Sequence, residues 1–213
     1  YKPAGYDRSK PAAFMVWQDG QQSLASYRIR QVYDTMIAQG RLPVTVHLFV
    51  DQSSQANRSE EYDAITDRYA RFLINELIPA VATKHDLNIT TDPNGRGIGG
   101  WSSGGAAAFT AAWQRNDYFR RVLTTNGSFV GLRGADTYPG LIRNTNPAKN
   151  LRVFLMSGDM DLGGFGGWLT ANRAMAAALK ARMYPYRFIY AREIGHSLKV
   201  SGCLAPGALE FLW

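Results

Sequence analysis

The chain has 213 residues, 46% of them hydrophobic, with 24 Lys and Arg against 17 Asp and Glu, a formal net charge of +7. That length suits one domain, residues 1–213, with a sizeable core, and no apolar run approaches the ~18 residues that would cross a membrane. The basic residues are scattered and none interleaves with aromatics, so a solvated basic surface is expected and a nucleic-acid site is not.

The single cysteine, Cys203, excludes an internal disulfide and lacks the spacing of a zinc site. A buried packing role is expected for it. No metal site is expected anywhere in the chain. No signal peptide is legible at Tyr1-Lys2-Pro3, where the chain opens as if cut. A removed leader would make the protein periplasmic or secreted; otherwise compartment and oligomeric state stay open.

Ala12 to Trp17 is a buried strand ending at Gln18-Asp19-Gly20, and a helix is predicted around Ser26 to Ala38. Pro43 to Val50 is a second strand, and Asp51 to Ser59 a polar loop. Tyr62, Ile65, Tyr69, Phe72, Leu73 and Leu77 recur at helical spacing, which predicts one long helix from Glu60 to about Thr83, N-capped by Ser59. A turn at Asp92-Pro93-Asn94-Gly95 leads to a strand at Arg96 to Gly99. Gly105 to Trp113 favours helix. Further strands are read at Arg121 to Thr125, Leu151 to Met156 and Tyr186 to Tyr190. A short helix is expected from Tyr138-Pro139, a longer one from Trp168 to Met183 with Met175, Leu179 and Met183 on one face, and a last one at Ala208 to Trp213. Gly163 to Gly167 reads as a hinge or lid edge. This alternation predicts an α/β fold with a mainly parallel sheet covered by helices on both faces.

Between the third strand and its helix stands Gly100-Trp101-Ser102-Ser103-Gly104, a G-x-S-x-G nucleophile elbow. A serine on such a turn is exposed and strained, and the helix that follows aims its N-terminus at it. A serine hydroxyl needs a base to take its proton. Of three histidines, His47 falls inside a strand and His85 at the polar end of a helix. His196 falls just after the last strand, at the strand ends where open parallel sheets bind ligands. The acid that orients the imidazole should lie between serine and histidine in the chain. Asp159 and Asp161 both stand there after a strand; Asp161 is favoured, and Asp159 has the alternative role of a turn cap. An oxyanion needs two donors: the backbone N–H of Ser103 is one, and that of Gln21, beside Gly20, is assigned as the other. Trp101, Phe129 and Trp168, with Tyr138 and Phe165, are expected to line a substrate pocket.

With these pieces the chain resembles the putative-esterase branch of the α/β-hydrolases, which includes enterochelin (siderophore) esterases, esterase D, and feruloyl and acetyl-xylan esterases. The resemblance is carried by Phe14 to Gly20, Arg58 to Asp63, Gly99 to Gly105, Ser157 to Asp161, and Gly195-His196, in the family's order. It implies an α/β-hydrolase fold, a serine hydrolase without cofactor, and Asp161 as the acid. It also implies strands ahead of Tyr1 that this sequence lacks. Arg58 and Glu61 fall in a stretch such proteins keep near the site, where an ion pair ordering the loop is the expected role. The expected substrate is a small-molecule or saccharide-linked ester: a sugar-linked, feruloyl-type or siderophore ester. An acyltransferase on the same three residues, or a non-catalytic binding domain, are the alternatives.

Overall fold

A computed structural model describes residues 1–213. Six strands form one sheet: β1 (Ala13–Gln18), β2 (Thr45–Val50), β3 (Arg96–Trp101), β4 (Arg121–Thr125), β5 (Arg152–Met160) and β6 (Tyr186–Gly195). Their order is β2-β1-β3-β4-β5-β6, and every neighbouring pair is parallel. This is the mainly parallel sheet of the α/β-hydrolase fold. The helices are α1 (Gly20–Ser26), α2 (Ile29–Ala38), α3 (Arg58–Tyr62), α4 (Arg68–Phe72), α5 (Ile78–Lys84), α6 (Ser103–Gln114), α7 (Tyr138–Asn144), α8 (Trp168–Ala181) and α9 (Ser201–Leu212).

The continuous apolar run of β1 follows from burial on both faces. Phe14 and Val16 join a core with Ile98, Val122, Leu155 and the inner faces of α6 and α8. Met15 and Trp17 point the other way, into a core with Leu123, Phe154, Met156, α2 and α9. The chain leaves β1 for β2 on one side and then returns for β3 on the other. That reversal opens a crevice at the carboxyl ends of β1 and β3, where open α/β sheets take their ligands.

The helix expected around Ser26 to Ala38 is α2, which begins at Ile29 after Arg28 with φ 49°, and a further helix, α1, precedes it. The long helix expected from Glu60 to about Thr83 is α3, a gap, α4, a π-helical turn at Leu73–Leu77, and α5. Pro79 lies in the first turn of α5; it has no N–H for the preceding turn and its ring would strike a carbonyl there, and the widened turn relieves both. Ser59 is no N-cap, since α3 already starts at Arg58; its hydroxyl instead meets Asp63 Oδ2 at 2.7 Å. Phe72, expected in the buried stripe, is 38% exposed. Met183 lies beyond α8 at φ 55° and is 90% exposed, so it does not share the face of Met175 and Leu179. Cys203 is exposed on α9, contrary to the buried role expected of it: it stands outside the stripe of Ala205, Ala208, Leu209 and Leu212 that packs on the sheet.

Strands β5 and β6 run past their predicted ends. A bulge between Gly158 and Met160 interrupts their register. A Cβ on Gly158 would stand 1.9 Å from the carbonyl oxygen of Ile194, so only glycine lets the strands cross this closely. Bulges re-aim side chains beside functional sites. Here Asp161 and His196 emerge together just beyond it.

Candidate active site

Helix α6 is buried all round, and its run of alanines and glycines suits a helix wedged against the sheet. Ser102 precedes it with φ 55° and ψ −126°, a conformation that costs energy for a residue with a side chain. The surroundings hold it there. A Cβ on Gly100 would meet the backbone of Gly104 at 2.5 Å, and one on Gly104 would meet Asp19 Oδ2 at 2.8 Å and Gln18 Cβ at 2.9 Å. Ser102 N–H donates to the Thr125 carbonyl at 3.0 Å, which continues the β3–β4 ladder to the elbow.

His196 Nε2 lies 2.8 Å from Ser102 Oγ, and its Nδ1 lies 2.6 Å from Asp161 Oδ1. The Asp161 side chain has no exposed surface and that of His196 is 13% exposed. The carboxylate is fully partnered. Oδ2 accepts from Asn126 Nδ2 at 2.6 Å and from Ser157 Oγ at 3.0 Å; Oδ1 also accepts from Leu162 N–H at 2.8 Å. Burial by itself pushes this carboxyl up, but the bonds from His196, Asn126 and Leu162 outweigh it and hold it below the ordinary carboxylate range. Asp159 stands apart: it is exposed and accepts only from the Tyr190 hydroxyl, at 3.3 Å.

The other expected residues divide. Ser103 is the first residue of α6, whose leading N–H groups have no acceptor within the helix. Gln21 is exposed and its N–H donates to Asp51 Oδ1 at 3.3 Å, so the structure does not bring it to Ser102. Trp101 and Trp168 flank His196, with ring centroids 4.8 Å and 5.4 Å from the imidazole. Trp101 Nε1 is buried without a partner. Phe129 is 1% exposed and packs edge-on to Phe109 at 5.6 Å, so it belongs to the core rather than to a pocket. Tyr138 is buried with it. Phe165 is 63% exposed at φ 51° among the glycines of residues 163–167, and touches the site only through Trp168.

Arg58 forms a two-pronged ion pair with Asp19, at 2.9 and 2.7 Å, against the Gly104 side of the elbow. Glu61 ties down Ser53. Of the remaining histidines, His47 is buried in β2 and accepts from Trp17 Nε1 at 2.9 Å, and His85 is exposed. The residues that sequence reasoning missed are Asn126, Ser128 and Ser157. Their one legible signal is position, since Asn126 and Ser128 lie just beyond the carboxyl end of β4 and Ser157 in the later part of β5.

A family model described as putative esterase matches residues 1–161, a span that contains the elbow and ends on Asp161. The chain belongs to the putative-esterase family. As a member it is a carboxylic ester hydrolase. Among solved structures it is similar to a ferulic acid esterase, with TM-score 0.78 and 17% identity over 99% of this chain and 89% of that one. It is similar also to the enterobactin esterase from Shigella flexneri, solved with enterobactin, with TM-score 0.80 and 22% identity over 98% of this chain. The chain spans about half of that enterobactin esterase, 53% of its length. A feruloyl esterase module from Clostridium thermocellum complexed with sinapinate aligns with TM-score 0.65 and 19% identity over 99% of this chain and 81% of that one. At such identities the likeness is one of fold. No curated protein matches the sequence.

Proposed function

We propose that residues 1–213 act as one catalytic domain, a serine esterase working through an acyl-enzyme, with Ser102 as nucleophile, His196 as base and Asp161 as its orienting carboxylate. The observation that carries this is the unbroken line from Asp161 Oδ1 through His196 to Ser102 Oγ, at 2.6 and 2.8 Å.

In acylation, His196 Nε2 takes the Ser102 proton as Oγ bonds to the ester carbon. The carbonyl oxygen takes the negative charge, and the carbon–oxygen bond to the alcohol breaks as His196 returns the proton to the departing oxygen. A water molecule then repeats the sequence against the acyl-enzyme and releases the acid. Ionised Asp161 fixes the imidazole with Nδ1 protonated and stabilises the imidazolium that forms twice per turnover. Ser103 N–H and the positive end of the 12-residue helix α6 serve the oxyanion. Gln21 would join them only by giving up Asp51.

We assign the substrate as a small-molecule or saccharide-linked ester with an aryl acyl group. Trp101, only partly buried with its ring 4.8 Å from the imidazole, offers an aromatic surface for it, whereas Trp168 is buried and its indole N–H donates to Ser128. Structural relatives named for ferulic acid and enterobactin point the same way.

The test is release of p-nitrophenol from p-nitrophenyl acetate by the wild type beside Ser102→Ala. The wild type should turn over, and the variant should lose about 10⁴-fold or more while remaining folded. A feruloyl ester should give the higher kcat/KM of the acyl series. Turnover retained in the variant would remove Ser102 from the mechanism.

A further inference from the structure

Next to the three residues above lies a second polar line. Trp168 Nε1 donates to Ser128 Oγ at 3.1 Å, and Ser128 Oγ lies 3.3 Å from Ser102 Oγ. Its direction is set by chemistry. An indole N–H can only donate, so Ser128 Oγ is the acceptor toward Trp168. Ser128 has no exposed surface, and the one other side-chain oxygen bonded to its hydroxyl is that of Ser102. The Ser128 proton therefore goes to Ser102 Oγ, and the Ser102 proton is left to point at His196 Nε2, 2.8 Å away.

The backbone holds this line rigidly. Ser128 N–H donates to the Ser102 carbonyl at 3.0 Å. Asn172 Nδ2 bridges the carbonyls of Gly127 and Trp168, at 2.8 and 2.9 Å, which joins the start of α8 to the loop carrying Ser128. At 3.3 Å the two hydroxyls are farther apart than a usual O–H···O pair, and catalytic hydrogen bonds tighten as charge develops in the transition state.

We propose that Ser128, held by Trp168, is a positioning residue that donates a hydrogen bond to the nucleophilic oxygen of Ser102. The proposal rests on the reading of Ser102 as nucleophile. As the Ser102 proton passes to His196, negative charge grows on Oγ and the bond from Ser128 strengthens. The same happens when the acyl carbon–Oγ bond breaks in deacylation and that electron pair returns to Oγ. The contribution is greater in the transition states than in the ground state, so it belongs to kcat more than to KM.

The experiment compares Ser128→Ala, Ser128→Cys, Trp168→Phe and the Ser128→Ala/Trp168→Phe double variant with the wild type. It reads kcat and KM on an aryl ester, the rate constant for covalent labelling of Ser102 by a fluorophosphonate, and the unfolding midpoint. Ser128→Ala should lower kcat and the labelling rate by about tenfold, the value of one such hydrogen bond, with KM within about twofold. Trp168→Phe should lose a few-fold, and the double variant should be no slower than Ser128→Ala, because Trp168 acts through Ser128. Wild-type rates in a folded Ser128→Ala, or losses that multiply in the double variant, would overturn the proposal. If Ser128→Ala does not fold, Ser128→Cys decides, since a thiol fills the site but donates weakly; an unchanged rate there is equally fatal. Ser102→Ala run alongside separates the two readings: turnover there sinks the nucleophile assignment itself, whereas a dead Ser102→Ala with unaffected Ser128 variants sinks only the positioning role.

Discussion

Asp161→Asn removes a charge from a site whose hydrogen bonds can survive the change. The carboxamide oxygen can stay toward His196 Nδ1 and Leu162 N–H, which now meet Oδ1 at 2.6 and 2.8 Å. Its new NH₂ would then face Asn126, whose own Oδ1 is buried without a partner. Turning the Asn126 amide over brings that oxygen to accept from the NH₂. The imidazole can therefore keep its tautomer, and the loss is mainly the attraction between carboxylate and imidazolium. For charge centres about 4 Å apart at an effective dielectric of about 20, that attraction is about 4 kcal/mol. At about 1.4 kcal/mol per decade, kcat/KM should fall about a thousandfold. This is less than the roughly 10⁴-fold expected where the wrong tautomer is also imposed. The assay is kcat/KM on p-nitrophenyl acetate, with thermal unfolding to show that the variant is folded. Asp159→Asn, whose carboxamide oxygen can still accept from the Tyr190 hydroxyl at the surface, should stay within about twofold of the wild type. A folded Asp161→Asn within tenfold of the wild type, or an equal loss in Asp159→Asn, would refute the reasoning.

Gly104→Ala places a methyl 2.8 Å from Asp19 Oδ2 and 2.9 Å from Gln18 Cβ, and should destabilise by about 1–3 kcal/mol, whereas Gly207→Ala in α9 meets nothing within 4 Å and should stabilise by about 0.5–1 kcal/mol. Paired thermal melts test this; shifts of the same sign would contradict it. Arg58→Ala strands Asp19, whose side chain is only 8% exposed, and should cost about 3–5 kcal/mol, or roughly 6–20 °C in Tm, with Arg58→Lys losing less. An unchanged melting curve would show the pair to be dispensable. The carboxyl of Asp161 is held below its ordinary value of 3.8, so the folded state binds fewer protons there than the unfolded state. The stability this contributes is complete above that value and is lost as pH falls through the depressed one. Urea midpoints across this acid range should fall more steeply for the wild type than for Asp161→Asn, and parallel curves would deny the linkage.

What the sequence by itself determined was local. Apolar runs of strand length marked β1, β2 and β5, because a strand buried on both faces must be apolar throughout, while β3 was marked by its place before the elbow. The spelling Gly100 to Gly104 marked the elbow, because only glycine tolerates the approaches found there. The chain order of Ser102, Asp161 and His196 marked three residues that the fold then brought within hydrogen-bond reach. Helix continuity was misread across residues 63–67, where the chain leaves helix between α3 and α4, because hydrophobic spacing reports which face is buried and not whether the backbone turns without a break. Aromatic residues in loops carried no sign of their fate: Phe129 went to the core, Phe165 to solvent, and Trp101 and Trp168 to His196. Cys203 and Gln21 were placed by rules of residue type and motif position, and the orientation of α9 and the carboxylate of Asp51 overrode them. Asn126, Ser128 and Ser157 were decided by tertiary structure alone. A small polar side chain leaves no periodic signature in a sequence, and each bonds to a residue from a different stretch of chain or across the bulge at the end of β5, a contact that exists only once the parallel strands are in register.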